Sequence, residues 1–434
     1  MFNNKETTLI KVLGKTFNTE VERRTYFREE LRKHLPELKK MEGFPIGEDE
    51  DILNLSDPPF YTACPNPWLN DFIVEWEKEK KELEKEGERD GNVEVSEPYA
   101  ADVSEGKNNP IYMAHSYHTK VPHPAIMKYI LHYTQPGDIV FDGFAGTGMT
   151  GVAASMCEKA DEEFKYLTEK ENPMVKWGKR LAICGDLSPM ASFISYNYNS
   201  KKNVNNLKVS CEDIIKGIEK DYSYLYETVH SREVKGKIIR TIWGDIFSCP
   251  NCNYEVDFWD SAVNEQTQTV LAEFPCGNCG VTVNKRKLNK TFETHFDVIT
   301  GKTISRKKEI PKLIYYKVDK KTYTKVPDDV DLKNIEKANS LLSKNWVPSQ
   351  PIMDGDKTPE FFRNGYKNFH QLYYARTLLI LSEFYKRSSN GHQLFYLTAI
   401  ILRATKLFRW SKNQAGPMMG TFYIASASFE INPF

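Results

Sequence analysis

Between residues 110 and 200 the apolar positions fall into short blocks whose period alternates. "HPAIMKYILHYT" sets Ile126, Tyr129, Ile130 and Tyr133 at helical spacing. "PGDIVFDGF" reads as a turn and then a buried-type strand over 139–144, and "TGMTGVAASMCEKA" carries a helix over 147–157. "RLAICGDLSP" is a second apolar strand ending on an acid. "SPMASFISYNYN" opens another helix, with Ser188 as N-cap and Pro189 at the first helical position. Strand and helix in alternation predict an α/β core, a mostly parallel sheet covered by helices. Upstream, 19–40 reads as a charged amphipathic helix with Thr19 and Glu22 spaced as a capping box. Residues 77–105 are mostly charged and predict a solvated helix end running into a linker. Helical text returns over 364–410, where Leu372, Ala375, Leu379 and Phe384 fall near one face of a helix over 370–387.

A length of 434 residues predicts two or three folding units. The expected divisions are an N-terminal helical segment and linker (1–105), an α/β core (106–247), a cysteine ribbon (248–285), a basic and helical region (286–410), and a strand-like tail (411–434). No apolar run reaches the roughly 20 residues a membrane span needs, and the first residues lack a signal-peptide core. The expectation is a cytoplasmic protein with no membrane partner. The formal charge is zero, so any surface for a polyanion must be a local patch.

That patch and the cysteines adjoin each other. Cys64, Cys157, Cys184 and Cys211 are isolated, whereas Cys249, Cys252, Cys276 and Cys279 form two C-x-x-C pairs. Doubled C-x-x-C knuckles supply four thiolates in tetrahedral reach, which predicts a structural Zn2+ with no open position for catalysis. Residues 281–326 then hold thirteen Lys or Arg against four Asp or Glu, interleaved with Phe292, Phe296, Tyr315, Tyr316 and Tyr323. This stretch is a candidate for phosphate contacts. Arg403, Lys406, Arg409, Trp410 and Lys412 form a weaker candidate edge.

The glycines of "IVFDGFAGTGMTGVAA" follow the first strand. A P-loop would end in Gly-Lys-Ser/Thr, and there is no lysine here. Gly146, Gly148 and Gly151 can be fitted to G-x-G-x-x-G, but Asp142 stands early in the loop, where it would repel a pyrophosphate. An acid there suits a ligand with a cationic amino group, such as S-adenosylmethionine. Asp186, at the end of the second strand, is placed to accept from ribose hydroxyls.

"HTKVPHPAIMKYILHYTQPGDIVFDGFAGTGMTG" resembles the cofactor-binding core of the N6-adenine/N4-cytosine DNA methyltransferases. The matching positions are Lys120, Pro122, Pro136-Gly137-Asp138, Asp142, Phe144, Gly146, Gly148 and Thr150. Gly143 and Met149 replace the commoner Pro and Thr. The resemblance implies a Rossmann-like core carrying a zinc-ribbon insert and a helical C-terminal region. It further implies that Phe144, Gly146 and Gly148 line the methionine part of S-adenosylmethionine, that Asp186 binds its ribose, and that 118–122 closes over it. The family's acceptor tetrapeptide, [D/N/S]-P-P-[Y/F/W], is matched by Asp57-Pro58-Pro59-Phe60. Asp57 and the Pro58 carbonyl would then accept from the target amino group, and Phe60 would stack on a flipped-out base. Two arrangements stay open. Either this tetrapeptide is catalytic, or the catalytic one lies beyond residue 434. The expected activity is methylation of the exocyclic amino group of adenine or cytosine in double-stranded DNA, in a restriction-modification or phage-defence setting with a nuclease or other defence subunit as partner. RNA methylation, or a nucleic-acid-binding role without catalysis, are the alternatives.

Overall fold

The computed structural model describes residues 9–92, 95, 97–100, 106–115, 117, 120–232, 234–410 and 422–434. The chain divides into two units, 1–202 and 203–434, rather than at the ends of the cysteine ribbon.

The first unit begins with an antiparallel hairpin, β1 (Ile10–Val12) and β2 (Lys15–Phe17), followed by α1 (Glu20–Leu38). The Thr19 hydroxyl accepts the Glu22 N–H at 3.1 Å and starts α1 where its cap residue stands. Phe27, Leu31 and Leu35, spaced by four, bury one stripe of α1 against Ile52 and Leu53 of α2 (Asp49–Leu55) and against Trp68. Arg23 occupies the first position of that same stripe. Helix α3 (Leu69–Glu86) follows and stops at Gly87, whose φ of 76° no side-chain-bearing residue adopts cheaply.

After α4 (Pro110–Met113) and α5 (His123–Tyr133) come β3 (Ile139–Asp142), α6 (Met149–Met156), α7 (Glu162–Glu171), β4 (Leu181–Cys184) and α8 (Pro189–Asn199). β3 and β4 pair in parallel, from Ile139 opposite Leu181 to Asp142 opposite Cys184. Val140 and Ala182 lie under Met127, Ile130 and Leu131 of α5 and Ala153 and Ala154 of α6. The expected parallel sheet is therefore reduced to a two-stranded ladder among the described residues. The alternate positions of β3 include Phe141, which is 74% exposed. A parallel sheet is normally covered on both faces, and among the described residues Phe141 stands uncovered on the second. The inward face of α5 is also displaced from the expected one, because Ala125, Met127, Ile130 and Leu131 are buried. Tyr129 and Tyr133 turn instead to Tyr99, which packs on the first and donates its N–H to the hydroxyl of the second at 2.8 Å.

The second unit is organised by one long strand, Val234–Ser248. Against it pair Glu227–Ser231, Glu255–Asp257, Asn289–Lys290, Glu309–Val318 and Ala427–Ile431, all antiparallel, and Lys321–Lys325 extends the sheet to seven strands. The largest sheet is thus antiparallel and lies outside the segment that resembles a methyltransferase. Helices Val204–Tyr222, Asp329–Leu342 and Ala375–Arg387 cover it, with Ile218, Leu342, Leu379 and Phe384 in the shared core. The helix expected over 370–387 begins only at Ala375. Gln371 caps a short 3-10 turn (Phe369–Leu372) by accepting the Asn368 N–H at 3.1 Å, which keeps Leu372 out of the helix.

Buried ion pairs cross this core. Arg376 meets Glu430 at 2.7 and 2.8 Å, Lys307 meets Asp245 at 2.6 Å, and Lys406 meets Glu309. Lys406 lies over the rings of Tyr366 and Tyr374 and is fully enclosed, which removes it from the candidate DNA edge. Lys412 of that edge lies outside the described residues.

Candidate active site and cysteine cluster

The loop from β3 to α6 is shaped by contacts that only its own sequence allows. Gly146 and Gly148 have φ of 52° and 77°. A Cβ on Gly148 would stand 2.2 Å from the Ser195 hydroxyl oxygen and 2.8 Å from the Asn199 amide, so α8 presses directly on the loop. Ser195 and Asn199 are one helical turn apart, which sequence spacing alone does not single out.

Asp142 at the end of β3 and Asp186 after β4 both hold the loop. The Asp142 carboxylate accepts the Phe144 N–H at 3.0 Å and the Thr150 hydroxyl at 2.6 Å. Asp186 accepts the Gly146 N–H at 2.9 Å through one oxygen and the Ser188 N–H at 2.8 Å through the other. Each carboxylate oxygen has a second lone pair, so these bonds leave acceptor capacity toward a ligand. Phe144 and Leu187 stand 84% and 88% exposed beside the two acids. Apolar surface next to spare carboxylate acceptors fits a ligand that combines an aromatic ring, hydroxyls and a cation, and S-adenosylmethionine combines all three. Leu187 was not among the residues expected here. It follows Asp186 in sequence, and that adjacency was the available signal. The Tyr117 ring lies beside Gly146, and burial, followed by the charge of Asp186, raises its hydroxyl above the usual tyrosine range.

Lys120 does not point into this loop. Its ammonium donates to the carbonyls of Tyr112, His115 and Ile111 at 2.8, 3.2 and 3.4 Å, between the rings of Tyr112 and Tyr198. Burial brings it down to about 8. It acts as a fastener for α4, while Pro122 caps α5. Residues 118 and 119 lie outside the described residues.

A cavity of about 560 Å3, lined by Trp76, Lys80, Leu83, Pro136, Trp177 and Leu181, lies at the amino ends of β3 and β4. Ligands of open α/β sheets bind at the carboxyl ends of the strands, so the glycine loop, not this cavity, is the candidate cofactor site.

Asp57-Pro58-Pro59-Phe60 forms a closed turn between α2 and α3, with a cis bond between the prolines. Asp57 and Tyr61 exchange backbone hydrogen bonds at 3.0 and 3.2 Å. The Asp57 carboxylate receives Arg23 Nη2 at 2.8 Å, Arg24 Nε at 3.0 Å and the hydroxyl of Tyr196 on α8. Burial alone would raise the Asp57 carboxyl. Arg24, the Tyr196 hydroxyl and Arg23 outweigh it, so the group lies below the usual carboxylate value and is ionised. Arg23 Nη1 donates to the Pro58 carbonyl at 2.6 Å, and Asn66 donates to that of Pro59 at 2.9 Å. Phe60 is half exposed and stacks on Phe72, which stacks on Trp76. The resemblance named the turn. It gave no sign of Arg23, Arg24 or Tyr196.

In the second unit the four cysteines converge. Their sulfurs lie within 4.8 Å of one another, with Cys249–Cys279 and Cys252–Cys276 at 3.8 Å. The edge of a tetrahedron with Zn–S bonds of about 2.3 Å is also about 3.8 Å, so the donor set fits zinc. Two matching knuckles make it: Asn253 N–H donates to the Cys249 carbonyl and Gly280 N–H to that of Cys276, both at 2.9 Å. Asn253 and Gly280 take φ of 57° and 69° at equivalent places. The basic surplus of 281–326 is partly spent within the fold, because Lys307, Lys308, Lys312 and Lys325 pair with Asp245, Glu255, Asp257 and Asp260, and Asp328 and Asp331. Those acids lie outside the segment, and a count within it cannot see them.

No curated protein and no solved structure matches the chain. Residues 44–201, which contain the D-P-P-F turn, the K-V-P segment and the glycine loop, match the family model N6_N4_Mtase, DNA methylase.

Proposed function

We propose that the first unit binds S-adenosylmethionine at the β3–α6 loop and methylates the exocyclic amino group of adenine or cytosine in double-stranded DNA. The observation that carries this is the glycine loop held by Asp142 and Asp186 with Phe144 and Leu187 bare beside it. When bound, the cofactor supplies a sulfonium methyl group for the amino nitrogen to attack. The chain's own part is alignment. Asp57 and the Pro58 carbonyl accept hydrogen bonds from the amino N–H groups, and Phe60 supports the ring. Asp186 holds the ribose and Asp142 the loop. The basic residues of 281–326 that make no internal pair contribute phosphate contacts, and the cysteine cluster holds a structural Zn2+. A cytoplasmic restriction-modification or defence setting accommodates this activity. No described helix is long and apolar enough to cross a membrane.

Isothermal titration with S-adenosylmethionine tests the cofactor site, and the absence of heat at high micromolar ligand would remove it. For the metal, chelation is expected to release about one zinc per chain and unfold the ribbon, since structural zinc contributes roughly 10–16 kcal/mol of apparent folding energy. Metal analysis with near-ultraviolet dichroism reads both. A second reading, cofactor and nucleic-acid binding without transfer, is favoured by one observation: both acceptors of the D-P-P-F turn already have a donor in Arg23.

A further inference from the structure

The resemblance gives three groups of the D-P-P-F turn to the target base: the Asp57 carboxylate, the Pro58 carbonyl and the face of Phe60. One side chain meets all three. The Arg23 guanidinium donates through Nη2 to Asp57 Oδ1 at 2.8 Å and through Nη1 to the Pro58 carbonyl at 2.6 Å. Its central carbon lies 5.0 Å from the centre of the Phe60 ring. A guanidinium is planar and presents N–H donors in its plane, as the exocyclic amino group of adenine or cytosine presents two N–H donors in the plane of its ring.

We propose that Arg23 is an internal stand-in for the target base, and that an incoming adenine or cytosine displaces it from the D-P-P-F turn. This rests on the reading of Asp57–Phe60 as the acceptor turn.

The surroundings fit an exchange. Arg23 keeps a third partner away from the turn, because its Nε donates to Glu20 at 2.8 Å one helical turn earlier, and Glu20 is exposed. A displaced guanidinium therefore retains a carboxylate at the protein surface. Asp57 is not left bare either. Arg24 contributes a contact at 3.0 Å and another at 3.4 Å, and Tyr196 donates to the far oxygen. These contacts hold the carboxylate ionised and oriented with or without Arg23. Phe60, backed by Phe72, keeps its place. The site is therefore assembled before the base arrives, and the base must compete with a tethered occupant. Competition of this kind lowers the apparent affinity for DNA by the fraction of time the site stands open.

The experiment follows tritium transfer from labelled S-adenosylmethionine to genome-amplified, hence unmethylated, DNA, using the full chain. Arg23→Ala is expected to raise the initial rate at sub-saturating DNA about tenfold, mostly through KM. Low-millimolar guanidinium chloride should return Arg23→Ala toward the wild-type rate and leave the wild type unchanged, which a purely structural arginine would not produce. Arg23→Lys keeps the charge without the fork and should also be faster than wild type; it replaces Arg23→Ala if that variant melts below the assay temperature. Asp57→Ala should abolish transfer in both backgrounds. Loss of transfer in Asp57→Ala, with Arg23→Ala and Arg23→Lys folded and no faster than wild type, overturns the stand-in and leaves the acceptor turn. Transfer that persists in Asp57→Ala, or is absent from wild type and both folded Arg23 variants, overturns the acceptor turn itself.

Discussion

The glycine loop and the D-P-P-F turn both carry an aspartate that the sequence marks as functional, and they use it in opposite ways. Asp186 spends its bonds on two backbone N–H groups, one in the β3–α6 loop and one in its own turn, and the apolar neighbours Phe144 and Leu187 are left open to solvent. Asp57 is enclosed by two guanidinium groups and a tyrosine hydroxyl drawn from α1 and α8. The first site is built on backbone N–H groups and leaves acceptor capacity and apolar surface open. The second is built on charged and hydroxyl side chains and is already satisfied. A motif specifies which atoms are offered, and the rest of the fold decides whether they are free.

The largest break in this contrast should come from Asp57→Ala. Arg23 is 2% exposed, and removing Asp57 takes away its buried carboxylate and leaves it the exposed Glu20, a loss of up to about 3–5 kcal/mol. Urea melting of the first unit should show that loss, whereas a shift of only a few tenths would mean that Arg23 finds enough in Glu20 and the Pro58 carbonyl. Tyr196→Phe removes one bond to a charged group and should lower stability by about 1.5–3 kcal/mol. Gly148→Ala acts on the other region. The backbone strain of about 1–3 kcal/mol, with a Cβ driven against Ser195, should weaken S-adenosylmethionine by roughly 10- to 100-fold in calorimetry. Unchanged affinity there would disconnect the loop from the cofactor.

The smallest effect sharpens the comparison by pH. The folded Asp57 carboxyl lies below its usual value of 3.8, so its contribution is fully present above about pH 4 and is lost as pH falls through the folded value. Asp57→Asn should flatten the fall in stability below pH 4. An acid limb as steep as the wild type's would place the titrating group elsewhere.

What could be read from sequence follows the range of the interaction. Thr19 and Ser188 cap the helices they precede, and the glycines turn the chain where a strand meets a helix, because these are contacts over three or four residues. The cysteines were legible because a metal site needs a stereotyped spacing. Arg23 and Asp57 are 34 residues apart, and Tyr196 is 139 from Asp57, with no spacing rule between them. Lys120 looked like a cofactor residue because its neighbours fit a motif, yet its ammonium found three carbonyls closer to home. The antiparallel sheet was hidden for a different reason. "VKGKIIRTIWGDIFS" has no strict alternation, because Val234–Ser248 is covered at several successive positions along its inner half. A strand buried in this way shows no period of two.

That strand has a mechanical consequence. Its fifteen residues span about 50 Å at roughly 3.4 Å each, and they run from the Glu227–Ser231 hairpin to the residue before Cys249. Along the way it pairs with Glu430's strand, the one that receives Arg376. A single rod thus joins the thiolate knuckles to the buried arginine, so loading the metal should slow amide exchange well beyond the ribbon, along the whole length of Val234–Ser248.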